Sequence, residues 1–277
     1  MKQIEITSNS NTISATLFES QKEDTVLIIA SATGVKQEYY FQFSQYVSDR
    51  GVSVITFDYN GIGRSLTKPI GEVSSNAADW GMSDLESIIQ YVLKNYANSK
   101  KVILGHSIGG QLIGLAQSST KIDKIILVAA QSGYWKFWKG VGRIKMWFNW
   151  YILFPILIKL FGFLNSKKLS GMENLPKNVA NQWRNWGKNS DYILSDTTIT
   201  SKYYENIVVE ITSFSIDDDD FAPKEAVKWM TNQYRNSKIQ HRHLNPNDFQ
   251  VSKIGHFGVF KKKFESSIWR VLFDEMK

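Results

Sequence analysis

The chain has 277 residues, a length normal for a single α/β domain with an insertion, and its hydrophobic and charged fractions, 43% and 21%, are those of a soluble globular protein. It contains no cysteine, which excludes disulfides, zinc–thiolate sites and a cysteine nucleophile. The net charge is +7, but the basic residues are scattered, and the one tight run, Lys261-Lys262-Lys263, is typical of a solvated helix. We therefore expect no nucleic-acid partner. The N-terminus lacks the apolar core of a signal peptide, so a cytoplasmic location is expected.

In chain order, the hydrophobic pattern predicts strands that alternate with helices. Two segments of alternating polar and apolar residues, 3–7 and 12–18, predict an opening antiparallel hairpin. Apolar runs predict further strands at 25–30, 52–58, 102–104, 124–130 and 207–214, and the continuing alternation of strands and helices predicts a last strand at 238–244. Helical spacing predicts helices at 38–49, 79–96, 112–116, 223–234 and 262–273. This alternation indicates the α/β class, a mostly parallel sheet with helices on both faces.

Residues 132–202 interrupt this alternation. They hold most of the tryptophans and no convincing strand, so we predict a helical lid inserted into a core formed by residues 1–131 and 203–277. Such a lid would lie over the carboxyl ends of the strands, where ligands bind in open α/β sheets.

One stretch of this lid, residues 147–164, is apolar enough to raise the question of a membrane. Pro155 would break a spanning helix, and Lys159 would be unfavourable in lipid. We therefore predict a lid that lines an apolar pocket, which favours an acyl or aromatic substrate. An interfacial segment with weak membrane-surface contact and a true span are the two alternatives.

A short motif, Gly105-His106-Ser107-Ile108-Gly109, lies between a predicted strand and a predicted helix. Strand, Gly-x-Ser-x-Gly, helix is the context of a nucleophile elbow. So sharp a turn would hold Ser107 in a strained conformation, and its glycines would let the strand and the helix approach closely. The helix that follows would direct the N–H of Ile108 at a developing oxyanion. An ordinary glycine-rich turn is the alternative.

A serine nucleophile needs a base, and the base needs an acid that orients it. Of the four histidines, His106 follows the elbow strand with its side chain diverging from Ser107, and two others alternate on the strand predicted at 238–244. His256 lies in a glycine-flanked loop after the last strand, so it is the candidate base, with a structural loop histidine as the alternative. The acid is expected among the four consecutive aspartates at 217–220, where like charges repel and at least one should meet a cation.

Four features in this order resemble the α/β-hydrolase superfamily over nearly the whole chain. They are the elbow, the loop Asp58-Tyr59-Asn60-Gly61-Ile62-Gly63-Arg64-Ser65, the acidic run before Ala222-Pro223, and Gly255-His256-Phe257-Gly258. The opening Ala32-Thr33-Gly34-Val35, with Tyr39-Tyr40 soon after, is most similar to bacterial serine-aminopeptidase-like and uncharacterised hydrolases.

The resemblance implies a Ser-His-Asp triad. Ser107 would be the nucleophile and His256 the base. The family's Asp-x-x-x-Pro arrangement favours Asp219 as the acid, with Asp218 as the neighbouring alternative.

The resemblance also implies an oxyanion hole that includes the N–H of Ile108. The family's frequent His-Gly is here Ala32-Thr33-Gly34. The second donor would therefore be the N–H of Thr33 or, as the alternative, that of Gly34.

These residues predict a serine hydrolase that cleaves an ester, thioester or amide of a small apolar or acyl substrate through an acyl-enzyme. No cofactor and no metal are expected. The same triad serves all three bond types, so the sequence does not separate them. The alternatives are an acyltransferase on the same triad, or a non-catalytic ligand-binding or membrane-associated protein on this scaffold.

Overall fold

An eight-stranded sheet lies at the centre of the computed structural model, which describes residues 1–22, 24–167 and 172–277. In chain order the strands of the described residues are β1 (Lys2–Ser8), β2 (Asn11–Phe18), β3 (Thr25–Ala30), β4 (Ser53–Phe57), β5 (Lys100–His106), β6 (Lys124–Val128), β7 (Phe163–Leu164), β8 (Leu175–Pro176), β9 (Glu210–Ile216) and β10 (Lys238–Leu244). The order in the central sheet is β1-β2-β4-β3-β5-β6-β9-β10. The hairpin β1–β2 and the pair β2–β4 are antiparallel, and every other pair in this sheet is parallel, which confirms the predicted α/β architecture.

Helices cover both faces of this sheet. Strand β3 shows why: Val26 and Ile28 belong to one hydrophobic core, whereas Leu27 and Ile29 belong to the other, because successive side chains of a strand point to opposite faces. The α-helices of the described residues are α1 (Phe41–Ser48), α2 (Glu86–Asn95), α3 (Ile108–Leu112), α4 (Gly140–Phe148), α5 (Phe154–Phe161), α6 (Lys177–Lys188), α7 (Lys224–Thr231) and α8 (Ile268–Asp274).

Several element ends differ from the sequence prediction. The helix predicted at 79–96 begins with a π-helical stretch, Trp80–Leu85, and the one predicted at 262–273 becomes α-helical only at Ile268. Strand β6 ends at Val128 because Ala129 has a positive φ of 50°, which takes the backbone out of the sheet. The strand predicted at 207–214 lies at Glu210–Ile216.

The segment 132–202 is mainly helical, but the prediction that it contains no strand is wrong. The two-residue strands β7 and β8 pair antiparallel within it. Helix α6 packs along the main lid helix: the rings of Trp150 and Trp183 lie 5.0 Å apart, and Arg184 Nε donates to the carbonyl of Trp150 at 3.0 Å. This packing holds the lid helix beside the sheet.

The main lid helix runs without a break from Gly140 to Phe161, so the prediction that Pro155 interrupts it is wrong. A π-helical stretch, Asn149–Leu153, directly precedes Pro155. Proline lacks an N–H, so it cannot make the usual i→i−4 hydrogen bond, and its ring crowds the preceding turn. The wider π-helical turn accommodates the proline, and the helix continues. Among the described residues, this helix alone is long and apolar enough to cross a membrane by length and composition, with 22 residues and a mean hydropathy of 1.3.

Candidate active site

Ser107 lies at the turn between strand β5 and helix α3, with φ 54° and ψ −120°. Its N–H donates to the carbonyl of Val128 at 2.9 Å, so the sheet pairing continues up to the turn itself. A Cβ atom on Gly109 would lie 2.1 Å from the carbonyl oxygen of Ala30, which only glycine avoids. The strain and the close approach expected of a nucleophile elbow are both present.

His256 and Asp219 form a buried pair. His256 Nδ1 lies 2.7 Å from Asp219 Oδ2, and the two side chains are 3% and 0% exposed. The other carboxylate oxygen, Oδ1, accepts the N–H groups of Phe221 and Ala222 at 2.8 and 2.9 Å. These bonds fix the carboxylate, which can then fix the histidine ring and its tautomer.

Asp218 occupies a different position from Asp219. Its two carboxylate oxygens accept the N–H groups of Ile254 and Gly255, each at 3.0 Å. Gly255 has a φ of 67°, which suits glycine and bends the loop just before His256. Asp218 therefore holds the backbone of the histidine loop. Buried Asp219 and half-buried Asp218 both accept backbone N–H groups, and neither forms an ion pair with a lysine or arginine of the described residues.

His106 lies beneath this loop, and its side chain turns away from Ser107. Its Nε2 donates to the carbonyl of His256 at 3.1 Å, and its Nδ1 accepts from the hydroxyl of Tyr40 at 2.8 Å. The same hydroxyl accepts the N–H of Ala32 at 3.0 Å. Burial lowers the pKa of His106 well below its usual range, so the ring is neutral. The sequence analysis missed this connection between three loops.

The predicted oxyanion residues lie in different surroundings. Thr33 lines the same cavity as Ser107 and His256. Ile108 is the first residue of helix α3, directly after the nucleophile. Gly34, in contrast, lies against the lid, and its carbonyl accepts the N–H of Glu173 at 2.8 Å.

A cavity of about 440 Å³ opens above Ser107. One end carries polar groups, and the remainder is largely apolar. The polar end includes Thr33, Ser107, Gln131 and His256, and the apolar part includes Met146, Trp150, Leu153, Phe154, Leu164 and Trp183. An apolar pocket with a few convergent polar groups is the usual form of a small-molecule site.

Gln131 is a site residue that the sequence analysis missed. The hydroxyl of Ser107 donates to Gln131 Oε1 at 3.4 Å, and Gln111 Nε2 donates to the same oxygen at 3.5 Å. Tyr192 OH donates to Gln111 Oε1 at 2.8 Å and accepts from Trp183 Nε1 at 3.0 Å. This chain of hydrogen-bonded side chains thus connects Trp183 and Tyr192 of the lid to the nucleophile. A polar residue directly after the strand predicted at 124–130 was the available signal in the sequence.

The two histidines of strand β10 lie away from this cavity. His243 Nδ1 lies 2.8 Å from Ser215 Oγ, and His243 Nε2 lies 3.2 Å from Asp217 Oδ1. Asp217 is 57% exposed at the edge of the sheet, and none of the three residues lines the cavity of Ser107. This arrangement is a hydrogen-bond cluster at the protein surface.

Comparison with protein families gives a match to the serine aminopeptidase S33 hydrolases over residues 21–216. No curated protein matches the sequence.

Solved structures with the same fold include several hydrolases. A soluble variant of monoglyceride lipase from Saccharomyces cerevisiae, bound to a substrate analogue, superimposes with a TM-score of 0.71 at 11% identity, covering 99% of this chain and 94% of that one. An esterase from Exiguobacterium antarcticum gives 0.62 at 16% identity, with both chains fully covered. A carboxyl esterase from Bacillus coagulans, with glycerol bound, gives 0.61 at 12% identity, covering 100% and 99%. At these identities the similarity shows the fold.

Proposed function

The chain belongs to the serine aminopeptidase S33 family of α/β hydrolases, and we propose that it hydrolyses esters of small apolar carboxylic acids through an acyl-enzyme on Ser107. One observation carries the proposal: Ser107, on a strained elbow, and His256, paired with buried Asp219, line one apolar cavity. The cavity supplies binding for an acyl chain, and the polar end supplies the groups for acyl transfer to water.

In the proposed reaction, Ser107 Oγ attacks the ester carbonyl while His256 Nε2 removes the hydroxyl proton of Ser107. Asp219 keeps the proton of His256 on Nδ1, which leaves Nε2 free to act as the base. The hydroxyl of Ser107 donates to Gln131 in this structure, so a rotation about its side chain must bring it to His256 before attack. The N–H groups of Ile108 and Thr33 would stabilise the oxyanion. His256 then protonates the departing alcohol, and a water molecule releases the acid by the reverse sequence.

The cavity favours an ester over a peptide with a free amino terminus. An aminopeptidase must bind the ammonium group of its substrate, and a buried ammonium needs a carboxylate partner. Among the described residues that line the cavity, none is an aspartate or glutamate, and the one charged side chain is that of Lys145. A cation at the edge of the cavity would repel an ammonium group. Esterases and a monoglyceride lipase among the structures with this fold agree with this choice.

Labelling with a fluorophosphonate probe, followed by assays on 4-nitrophenyl esters and on aminoacyl 4-nitroanilides, tests the proposal. We expect the parent protein to be labelled and to cleave the esters but not the anilides. Ser107→Ala should abolish labelling and lower kcat by about 10⁴–10⁶-fold while the protein stays folded. Labelling that persists in Ser107→Ala, or anilide cleavage faster than ester cleavage, would contradict the proposal.

A further inference from the structure

The lid helix 140–161 has a large exposed apolar face. Nine of the thirteen large hydrophobic side chains that are exposed in the described residues belong to this helix, although it forms one wall of the cavity. Ile144 and Leu160, near its two ends, are 67% and 70% exposed. Scattered exposed apolar residues need no explanation, but a continuous patch marks an interaction surface.

The exposed residues form one stripe along the helix. The stripe comprises Val141, Ile144, Phe148, Ile152, Ile156 and Leu160. Steps of four residues would gradually rotate around a helix of 3.6 residues per turn. The π-helical stretch Asn149–Leu153 contains a wider turn, which offsets this rotation and keeps the two halves of the stripe aligned. The face is therefore continuous over about 33 Å, the length of 22 helical residues.

The charged residues that lie close in sequence to this helix all have one sign. The sequence from residue 124 to residue 172 contains no aspartate and no glutamate. Lys136 and Lys139 precede the helix, and Lys159 lies in its last turn; all three are exposed. In the described part of the chain, none of these three lysines has a carboxylate within ion-pair distance. An apolar stripe with unpaired lysines beside it combines the two features of a helix that lies in a lipid interface.

We propose that this face docks on the surface of an anionic lipid bilayer, with the helix axis parallel to the membrane plane. The apolar stripe would enter the boundary between headgroups and acyl chains, and Lys136, Lys139 and Lys159 would meet the anionic headgroups. A second copy of the chain fits the face less well, because a symmetric contact would bring the same unpaired lysines together with no acid to neutralise them.

A membrane-spanning arrangement also fits less well. The side of the helix opposite the stripe is built into the protein: Trp150 is 2% exposed, and its Nε1 donates to the carbonyl of Gly133 at 3.0 Å. Arg184 of helix α6 holds the carbonyl of Trp150. Spanning would either break these contacts or carry Arg184 into the hydrocarbon. A helix lying in the interface keeps them all.

Flotation with lipid vesicles tests this docking, and Ser107→Ala serves as the starting protein so that the result is independent of turnover. We expect the protein to float with vesicles of phosphatidylcholine and phosphatidylglycerol, mixed about two to one, and to bind pure phosphatidylcholine much more weakly. Salt at about 0.5 M should release it. Replacing Lys136, Lys139 and Lys159 by Gln should weaken binding by about 10²-fold, at about fivefold per lysine.

Two matched controls isolate the face. Lys2, Lys22 and Lys121 lie at or just before the starts of strands β1, β3 and β6, at the end of the sheet opposite the carboxyl ends of the strands. Replacing all three by Gln gives a control variant with the same loss of charge. Leu66→Gln with Val208→Gln removes exposed apolar side chains elsewhere, for comparison with Ile144→Gln plus Leu160→Gln. Both controls should bind as the parent does, and both face variants should bind less.

Three results would overturn the proposal. One is no flotation with the anionic vesicles. Another is equal binding to both vesicle types that resists salt and carbonate, which indicates an integral segment. The third is a loss of binding in the Gln variant of Lys2, Lys22 and Lys121 that is as large as the loss in the Gln variant of Lys136, Lys139 and Lys159. A concentration-dependent dimer that disappears in Ile144→Gln plus Leu160→Gln would assign the face to a second copy instead.

Discussion

Exchanging one oxygen of Asp219 for an amide NH₂ is the sharpest test of the proposed triad. In Asp219→Asn, the remaining carbonyl oxygen would keep the two N–H groups of Phe221 and Ala222, because both now bind the same atom, Oδ1. The new NH₂ group would then face His256 Nδ1 at the position of Oδ2, which lies 2.7 Å away. Nδ1 would have to accept a hydrogen bond, so the ring proton would move to Nε2.

A histidine protonated at Nε2 cannot remove the proton of Ser107. We therefore expect kcat on a 4-nitrophenyl ester to fall by about 10⁴-fold, or roughly 5 kcal/mol of transition-state stabilisation. Every hydrogen bond of the site retains a donor and an acceptor, so the free energy of unfolding in urea should change by only about 1 kcal/mol. The variant would be folded and inactive.

Asp218→Asn is the matched control, because it makes the same change one residue earlier. Each of its carboxylate oxygens accepts a separate N–H, from Ile254 and from Gly255, and in asparagine one of these oxygens is replaced by an NH₂ group that cannot accept. We expect a loss of about 1–3 kcal/mol in the free energy of unfolding, with a fall in kcat far smaller than for Asp219→Asn. The reasoning fails if Asp219→Asn keeps kcat within tenfold of the parent, or if Asp218→Asn is the variant that loses 10⁴-fold.

Three further predictions concern the surroundings of the site. Gln131→Glu should lower kcat by roughly 10²–10³-fold, because Gln131 Oε1 lies 3.4 Å from the Ser107 hydroxyl, and a carboxylate there would repel the developing oxyanion. Two like charges about 4 Å apart repel each other by roughly 4 kcal/mol at an effective dielectric constant near 20. Gln131→Ala should have a much smaller effect. Leu153→Ala should shift the preference of ester cleavage toward longer acyl chains and Leu153→Trp toward shorter ones, because Leu153 lines the cavity. The third prediction concerns the free energy of unfolding in urea of the parent minus that of His106→Gln. This difference should be about 2 kcal/mol smaller at pH 5 than at pH 7. Burial lowers the pKa of His106 well below its usual range, so the unfolded chain binds a proton between pH 7 and pH 5 that the folded chain does not.

Each of these has a contrary result. Equal kcat for the Glu and Ala variants of Gln131 would place the oxyanion away from that side chain. An unchanged chain-length profile in both Leu153 variants would show that the acyl chain lies elsewhere. A constant stability difference between pH 7 and pH 5 would mean that His106 is protonated in the folded protein.

The sheet could be predicted from the sequence because its signal is local. Strands β3 and β10 begin and end at the predicted residues, and for β3 a continuous apolar run marks the strand directly. The elbow could be predicted for a similar reason, because its glycines are close together in the chain. The chain-distant contacts could not: Tyr40 binds His106 across 66 residues, and neither residue's neighbours indicate the other. Among the aspartates, the spacing from Pro223 favoured Asp219, but the different position of Asp218 depends on how the loop at Ile254 folds back.

The lid helix shows why an argument from one residue type can mislead. Proline in a helix removes one hydrogen bond and clashes with the preceding turn, and from this we expected a break at Pro155. The chain instead widens the turn before it, at Asn149–Leu153, and continues. That widening has two consequences at once: Leu153 and Trp150 stay directed at the cavity, and the exposed stripe from Val141 to Leu160 stays on one side. A break would have separated the two halves of both faces. The same local irregularity therefore supports the apolar wall of the proposed active site and the face proposed to meet the lipid surface.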